Sequence, residues 1–445
     1  MEQIPTTPYR LPVRCCQYPA PVDGCDAAFT IEASRVTFGR GCLSEVGARA
    51  KSLGVTRVLL VTDPFVGELP FAHLVRDSLR AQHLDVVVFT EVEIEPTDRS
   101  VLLAANAARE AGVTGFVSLG GGSVIDTAKI ANLLSAHPDD LEAYVNAPVG
   151  RGKPVPGPLM PHIACPTTSG TGSEVTGIAV FDHTALHVKT AVASKELRPT
   201  EALVDPDTTR TLPGAVVAAS GLDVLCHAIE SFTARPYTRR PRADVPSARP
   251  MSQGSNPWSD LGCKEALSLC HRFLERACRD AADDEAREGM MWAATLAGIA
   301  FGNAGVHIPH AMAYAIAGLA HRTDYRRAGY PTLAAFVPHG LAVALGAPAA
   351  VSLTGATNPE RHQIIAAALG EQRAISAEDA GACARERLVA LMEALDVPCK
   401  LSTLGASSSD VAALIDGTLQ QSRLLANAPL TVDAGVLRSL FEGSL

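Results

Sequence analysis

Short apolar runs alternate with amphipathic segments through the first half of the chain. The run at 56–63 is continuous and rich in β-branched residues, which predicts a buried strand, and the runs at 85–92 and 114–123 have a similar character. The segments 71–84 and 101–112, which lie between them, carry apolar residues at helical spacing. This alternation predicts a parallel sheet that is covered by helices on both faces.

The two ends of this region follow other patterns. The segments AAFTIEAS (27–34) and RVTFGRG (35–41) are predicted to be two strands that pair with each other. From about Pro213 the strand pattern ends, and the chain becomes rich in alanine and leucine at helical spacing. The predicted helical segments are 213–233, 259–281, 284–320, 340–350, 360–369, 377–394 and 408–445.

These patterns together predict the fold class. We expect an extended N-terminal arm at 1–27 and an α/β Rossmann-like dinucleotide-binding domain at 28–212. An all-α domain at 213–445 is expected to supply the metal and substrate sites. A length of 445 residues agrees with two or three domains.

Composition narrows the class of protein. Hydrophobic residues make up 47% of the chain and charged residues 19%, which is typical of a globular protein. A net charge of −9 argues against nucleic acid as a partner. The sequence contains no run of about 18 uninterrupted apolar residues, so it predicts no membrane span. The 11 cysteines lack CxxC spacing, and residues 1–19 make a poor signal or transit peptide. We therefore predict a cytoplasmic protein, or one of the mitochondrial matrix if the source is a eukaryote.

The stretch GLDVLCHAIES (221–231) contains the first candidate metal ligands. Asp223 and His227 are four residues apart on a predicted helix, which puts both side chains on one face. A carboxylate and an imidazole in this arrangement form half of a divalent-metal site. The same pair is also typical of an ordinary buried hydrogen bond, so further ligands must decide.

Three later histidines are candidates for the other half. His307 and His310 lie in an apolar segment, and His339 precedes Gly340 at the start of a predicted helix. A buried histidine is costly unless it is paired or metal-bound. The spacing does not choose between His307 and His310, nor does it exclude a structural role. Oxygen and imidazole ligands without sulfur suit Fe(II), Zn(II), Mn(II) or Co(II).

A nucleotide site is predicted in the first half. The glycines of GGGS (120–123) follow a strand and precede a helix, where the backbone can approach a phosphate and the helix N-terminus favours an anion. Asp63 ends the strand 56–62, where a carboxylate can accept ribose hydroxyls. The GxGxxG fingerprint is absent, and a tight turn is the simpler interpretation of GGGS alone.

The segment CPTTSGTGSEVTG (165–177) is a further candidate for the same site. Its hydroxyls and glycines suit a pyrophosphate or nicotinamide-ribose cradle, and Lys189 could add a positive charge. A flexible Ser/Gly loop is the alternative. Apolar runs on both sides favour a loop that is fixed within a domain.

Four of these strings resemble the iron-containing (group III) alcohol dehydrogenases. They are GGGSVIDTAK, PTTSGTGSEVT, GLDVLCHAIES and the segment from His310 to PHG. The resemblance runs from about residue 30 to the C-terminus and implies an αβ nucleotide-binding domain, a helical domain and a site between them. It also implies NAD(H), a divalent metal, with Fe(II) ahead of Zn(II), and a homodimer or higher homo-oligomer.

Carried over residue by residue, the resemblance assigns the site. The implied metal ligands are Asp223, His227, His310 and His339. The implied cofactor-binding residues are Asp63, Gly121, Gly122, Ser123, Thr167, Thr168, Thr171, Thr176 and Lys189. Many alcohol-specific relatives carry a second histidine where this chain has Tyr314. The tyrosine is therefore either a candidate catalytic residue for proton transfer or a packing residue.

Other strings, among them VEIEPTD (92–98) and QGSNPWSD (253–260), resemble a branch that moves hydride between a hydroxy acid and an oxo acid. It implies oxidation of 4-hydroxybutyrate to succinic semialdehyde and reduction of 2-oxoglutarate to 2-hydroxyglutarate on a nicotinamide that stays bound. A dehydrogenase of alcohols or aldehydes that exchanges NAD(H) freely is the alternative. A second alternative is a lyase similar to dehydroquinate synthase, but such an enzyme would need more basic residues to bind a substrate phosphate.

The segment 233–257 is a long loop rich in proline, arginine and serine. Such loops are often functional, so it is either a lid or substrate element or a solvated insertion. Substrate carboxylates need cations. We therefore predict a carboxylate clamp in this loop, formed by Arg235, Arg239, Arg240 and Arg242, with Lys189 as a further candidate cation.

Overall fold

The computed structural model describes residues 18–186, 188–330 and 335–445, so the first 17 residues of the predicted arm lie outside it. The strands are β1 (Arg35–Phe38), β2 (Arg57–Val61), β3 (Asp85–Phe89), β4 (Gly115–Gly120), β5 (His162–Pro166), β6 (Ile178–His183), β7 (Val188–Ala193) and β8 (Glu201–Val204). The helices of the first half are α1 (Val46–Ser52), α2 (Pro70–Ala81), α3 (Asp98–Ala111), α4 (Gly122–Ala136) and α5 (Leu141–Tyr144).

Helices make up the regular structure of the second half. They are α6 (Gly214–Thr233), α7 (Pro257–Arg279), α8 (Asp284–Ala304), α9 (Ile308–Ala317), α10 (Ala320–Thr323), α11 (His339–Thr354), α12 (Pro359–Ala368), α13 (Ala380–Ala394), α14 (Val411–Leu419), α15 (Ser422–Leu425) and α16 (Ala434–Ser444). The predicted fold class, an α/β Rossmann-like half followed by an all-α half, is confirmed.

Six strands form one parallel sheet in the order β1-β8-β5-β4-β2-β3. The connection from β2 leads to β3 on one side, and the connection from β4 leads to β5 on the other. The direction in which successive strands are added to the sheet therefore reverses between β2 and β4. In open parallel sheets, ligands bind in the crevice at the carboxyl ends of the strands where this reversal occurs.

Both faces of the sheet are covered because alternate side chains of each strand face opposite ways. In β2, Leu59 and Val61 pack into the apolar cluster that includes residues of α3 and α4. Val58 and Leu60 pack into the cluster on the opposite face, with residues of α1 and α2. The continuous apolar run of β2 is thus that of a strand buried on two sides.

The predicted pairing of 27–34 with 35–41 is wrong. β1 pairs in parallel with β8, and residues 27–34 form no strand. Their backbone is satisfied by side chains of the helical half, since the N–H of Thr30 donates to Gln253 Oε1 at 2.8 Å and the N–H of Glu32 donates to Asn303 Oδ1 at 2.9 Å. Side-chain amides therefore replace the strand partner that the apolar pattern suggested.

The predicted helix 284–320 is interrupted. α8 ends at Ala304, and Gly305 follows with a φ of 83°, a conformation that favours glycine. α9 begins three residues later, with Pro309 in its first turn. The interruption turns the chain so that the start of α9 faces α6.

Two helices meet the length and composition of a membrane span. They are Gly214–Thr233 and His339–Thr357, and 83% and 72% of their apolar windows are buried inside the protein. Most of this apolar surface thus packs against other parts of the same chain, as in the core helices of many proteins.

Candidate metal and nucleotide site

A cavity of about 900 Å³ lies between the carboxyl edge of the sheet and the helices α6, α9 and α11. Sites for small ligands and cofactors are commonly about 300–1,000 Å³ in volume. The wall formed by the sheet carries the predicted nucleotide-binding segments, and the helical wall carries the predicted metal ligands. The two sets of residues that the sequence singled out therefore face one space.

Three helices carry the four predicted metal ligands, and the ligand atoms of Asp223, His310 and His339 all lie within 4.8 Å of one another. α6 carries Asp223 and His227, α9 carries His310 in its first turn, and α11 begins with His339. Asp223 Oδ1 lies 3.7 Å from Nε2 of His227 and 3.5 Å from Nε2 of His310. The distance to Nε2 of His339 is 3.7 Å.

This geometry fits a divalent cation. In a tetrahedral site with bonds of about 2.1 Å, neighbouring ligand atoms are roughly 3.4 Å apart. The Oδ1 atom of Asp223 and the Nε2 atom of His310 are buried and have no hydrogen-bond partner among the described residues. Unpartnered buried polar atoms are costly, and a metal ion bound at this point would satisfy both.

The pKa values of Asp223, His227 and His339 are lowered, as suits metal ligands. Burial opposes the charge on His310, but Glu230 and Asp223 overcome it and raise the pKa of His310 to about 10, so metal binding would release a proton from that ring. Burial opposes the charge on Asp223, but the imidazoles of His227, His339 and His310 outweigh it and hold the pKa of the carboxyl below its usual range. Burial lowers the pKa of His227 to about 4, so its ring is neutral near pH 7. Metal ligands must be deprotonated in this way.

The structure shows that the rings of His307 and His310 have different partners. His307 Nδ1 accepts from the N–H of Ile308 at 2.7 Å, and its Nε2 lies 3.0 Å from the hydroxyl of Thr233. Both ring nitrogens of His307 are therefore engaged, whereas Nε2 of His310 faces Asp223. The ligand geometry favours His310, the residue that the family resemblance implied.

Glu230 supports the ligands from behind, a role that we did not predict. Its fully buried side chain accepts from His310 Nδ1 at 2.5 Å and from the N–H of His307 at 2.7 Å. A carboxylate on the far nitrogen fixes the tautomer and orientation of a metal-bound imidazole. Glu230 lies seven residues after Asp223 on α6, so helical spacing could have revealed it.

Glu230→Gln is expected to lower the affinity for a divalent metal by about 10–100-fold, because the imidazole loses its charged acceptor. Competition with a chelator of known affinity measures this change. Glu201→Gln is the matched control, since Glu201 is an equally buried carboxylate in β8 that pairs with Arg35. Equal metal affinity in the two variants contradicts the role of Glu230.

The predicted nucleotide segments meet at three adjacent strand ends. Asp63 follows β2, the glycines 121–122 follow β4, and Thr167 and Thr168 follow β5. These residues line the cavity, as do Ser123, Thr171 and Thr176. Gly121 precedes α4, where the first N–H groups of a helix lack intrahelical partners and suit an anion.

Close contact between two loops explains the glycines. A Cβ atom on Gly122 would lie 2.6 Å from Thr171 Cγ2, and one on Gly121 would lie 3.2 Å from Thr168 Cγ2. Side chains at these positions would therefore displace the threonines that complete the floor of the cavity. The floor fits a cofactor whose phosphates approach the backbone closely.

Asp63 is held by its own turn. Its Oδ1 atom accepts from the N–H groups of Phe65 at 2.9 Å and Val66 at 2.8 Å. Burial raises the pKa of the carboxyl, and these two backbone donors oppose the rise. The Oδ2 atom of Asp63 accepts no hydrogen bond from a described residue, so this oxygen can accept one from a ribose hydroxyl.

Lys189 lies behind the cavity wall rather than on it. Its ammonium contacts Glu95 Oε2 at 2.6 Å and Asp182 Oδ1 at 2.8 Å, and its side chain is only 5% exposed. Glu95 itself lines the cavity. Burial opposes the charge of Lys189, but the two carboxylates raise its pKa. The predicted direct contact of Lys189 with the cofactor stays a prediction.

Tyr314 lies one turn after His310 on α9 and lines the cavity, half-buried. Burial raises the pKa of its hydroxyl, and the charge of Arg423 opposes the rise. The hydroxyl makes no hydrogen bond with a described residue. It is therefore available to a ligand, and its catalytic role stays a prediction.

The arginines of the long loop lie elsewhere. Arg239 Nη1 donates to the carbonyl of Ala20 at 2.6 Å, and Arg242 Nε donates to the carbonyl of Cys25 at 3.2 Å. The loop thus packs against the segment that begins at residue 18. No cavity-lining position is occupied by any of the four arginines of the predicted clamp, Arg235, Arg239, Arg240 and Arg242.

The fold and the two halves of the site fit an oxidoreductase with places for a nicotinamide and a metal ion. Comparison with known families agrees. Residues 33–206 match the family described as iron-containing alcohol dehydrogenase, and residues 250–442 match the C-terminal family of Fe-containing alcohol dehydrogenases. The chain belongs to the iron-containing alcohol dehydrogenase family.

Individual relatives within this family share one name. The chain is 45% identical to a protein of Bos taurus named hydroxyacid-oxoacid transhydrogenase, mitochondrial, over 94% of this chain and 90% of the relative. The protein of the same name from Homo sapiens is 43% identical with the same coverage. Both relatives thus extend across the two halves of the site.

Solved structures agree with the fold. The crystal structure of 1,3-propanediol oxidoreductase has a TM-score of 0.82 and 28% identity, and the match covers 94% of this chain and 100% of that one. Sulfoacetaldehyde reductase from Bifidobacterium kashiwanohense, solved in complex with NAD⁺, has a TM-score of 0.76 and 25% identity, over 94% and 98% of the two chains.

Proposed function

We propose that the protein is a hydroxyacid-oxoacid transhydrogenase that oxidises 4-hydroxybutyrate to succinic semialdehyde and reduces 2-oxoglutarate to 2-hydroxyglutarate. The observation that carries the proposal is the identity of 43–45% to relatives of that name over 94% of the chain. The metal-ligand wall and the nucleotide-binding wall of one cavity support the same chemistry. The names of these relatives also favour the mitochondrial matrix as its location.

The reaction transfers one hydride and one proton in each half. In the hydroxy acid the alcohol carbon loses the hydride and its hydroxyl oxygen loses the proton, which gives an aldehyde. In the oxo acid the keto carbon gains the hydride and its oxygen gains the proton. A bound nicotinamide would supply the hydride-carrying chemistry, and a divalent cation, Fe(II) in our proposal, would supply Lewis-acid polarisation of the reacting oxygen. Asp223, His227, His310 and His339 would hold the cation.

The chain itself supplies position and electrostatics. The glycines 121–122 and the threonines of the neighbouring loop would hold the cofactor on the sheet wall, facing the ligand helices. Phe301 stacks on His227 with ring centroids 4.1 Å apart and helps to close this end of the cavity. Such a cleft contributes to catalysis by fixing the two reacting carbons against each other.

The test is an assay without added nucleotide. Purified enzyme is expected to convert 4-hydroxybutyrate to succinic semialdehyde only when 2-oxoglutarate is present, with equal amounts of 2-hydroxyglutarate formed. Both products are quantified by mass spectrometry. Conversion that requires added NAD⁺ and proceeds without an oxo acid contradicts the proposal.

Conversion that requires added NAD⁺ and no oxo acid is the result expected of the alternative function, an alcohol dehydrogenase that exchanges its NAD(H). The similarity to a reductase solved with NAD⁺ favours this candidate.

A further inference from the structure

One cation in the cavity has no counter-ion among the residues that the structure describes. Arg423, in α15, is the only arginine or lysine among the described residues that line the cavity. The residue keeps solvent-accessible surface, although protein atoms surround its guanidinium closely enough to lower its pKa, and the side chain forms no ion pair or hydrogen bond with a described residue. The acidic residues that line the same cavity are Asp63, Glu93, Glu95, Asp126 and Asp223. An unpaired guanidinium in such a cavity is suited to an anionic ligand.

The backbone of Arg423 lies near the metal end of the cavity. The next residue, Leu424, packs in one apolar cluster with Phe301, and Tyr314 packs against the same cluster. Phe301 in turn stacks on His227, one of the predicted metal ligands. This end is formed by helices, whereas the glycines that suit a pyrophosphate lie on the sheet wall. The position of Arg423 therefore favours a substrate anion over a phosphate of the cofactor.

Lys189, the other cation near the cavity, is already neutralised. Glu95 and Asp182 both contact its ammonium, so this group carries an excess of negative charge. An incoming carboxylate would meet Glu95 before Lys189, because only Glu95 lines the cavity. Surrounding protein lowers the pKa of Arg423, yet a guanidinium stays charged near pH 7.

We propose that the Arg423 guanidinium, assisted by the Tyr314 hydroxyl, binds the substrate carboxylate that lies away from the reacting carbon. The inference rests on the proposed function for the identity of the substrates. In 4-hydroxybutyrate and in 2-oxoglutarate alike, two methylene groups separate the reacting carbon from this carboxylate. One cation at a fixed place relative to the metal ligands therefore serves both halves of the reaction. Tyr314 packs against the apolar cluster that contains Leu424, the residue after Arg423, and both Tyr314 and Arg423 line the cavity.

The experiment compares two single-charge removals in the metal-loaded enzyme with NAD bound. Arg423→Gln acts inside the cavity, and Arg242→Gln acts on the exposed loop. Calorimetry measures the binding of glutarate, which carries the carboxylates but has no group to oxidise or reduce. Arg423→Gln is expected to raise the Kd for glutarate about 30-fold, as loss of a charge-assisted hydrogen bond does, and Arg242→Gln to leave it unchanged.

Kinetics with paired substrates give a second measurement. Arg423→Gln is expected to raise the KM for 4-hydroxybutyrate by a similar factor and to leave the KM for 1-butanol, which lacks a carboxylate, within about twofold. Arg423→Lys keeps the charge and is expected to restore most of the glutarate affinity. Tyr314→Phe is expected to raise the Kd for glutarate only about fivefold, since a neutral donor contributes less.

The outcomes separate this inference from the proposed function. Unchanged glutarate binding in Arg423→Gln overturns the carboxylate site, whatever reaction the enzyme catalyses. An equal loss of NAD affinity also overturns it, because it assigns Arg423 to the cofactor. A third outcome is that the wild-type enzyme does not turn over 4-hydroxybutyrate but Arg423→Gln still loses glutarate binding. This outcome supports the carboxylate site and contradicts the proposed function.

Discussion

His310→Gln is expected to remove the bound divalent metal and to lower kcat/KM by about 10³-fold or more, which corresponds to about 4 kcal/mol of transition-state stabilisation. His310 presents Nε2 to Asp223 Oδ1 at 3.5 Å, and Glu230 orients the ring from the other side. A glutamine cannot place a nitrogen lone pair at the same point with the same support. Metal content of the purified protein and steady-state kinetics measure the effect.

His307→Gln is the matched control. His307 is as buried as His310 and precedes it by one helical turn, but its two ring nitrogens bond to Ile308 and Thr233. A glutamine there removes a buried imidazole and leaves the metal ligands in place. Stoichiometric metal in His307→Gln with loss in His310→Gln supports the assignment, and the reverse result contradicts it.

Local patterns predicted those parts of the site that depend on neighbours in sequence. Asp223 and His227 share a helix face because of a spacing that any helix imposes. The glycines after β4 indicated a close backbone approach, and the structure places threonines within 3.2 Å of their Cβ positions. Glu230 continues the same helical spacing and was within reach of this reasoning.

Other features depend on contacts between residues that are far apart in the chain. β1 pairs with β8 across more than 160 residues, and no alternation of apolar positions identifies such a partner. The choice between His307 and His310 follows from the break at Gly305, which turns one nitrogen toward α6. Arg423 lies in a four-residue helix without any motif, so only the cavity that it lines reveals it.

Gly340→Ala is expected to disrupt the metal site although Gly340 binds no metal. A Cβ atom at this position would lie 1.9 Å from the carbonyl oxygen of Ala219 and 2.9 Å from Cβ of Asp223. Since non-bonded carbon and oxygen need more than 3 Å, α11 must move away from α6 by about 1 Å or more. Metal–ligand distances tolerate only about 0.2 Å. His339, the neighbouring residue, would therefore leave the reach of a metal held by Asp223.

We expect Gly340→Ala to lose most of its metal and to lower the free energy of unfolding by about 2–3 kcal/mol, as overpacking of a core contact does. Gly346→Ala is the control on the same helix. Its Cβ would meet the side chain of Met312 at 3.3 Å, and a methionine can move aside. Metal analysis and denaturant unfolding of both variants distinguish them. Full metal content in Gly340→Ala would mean that α6 and α11 can separate without opening the ligand set, and close packing at this glycine would then not hold His339 in place.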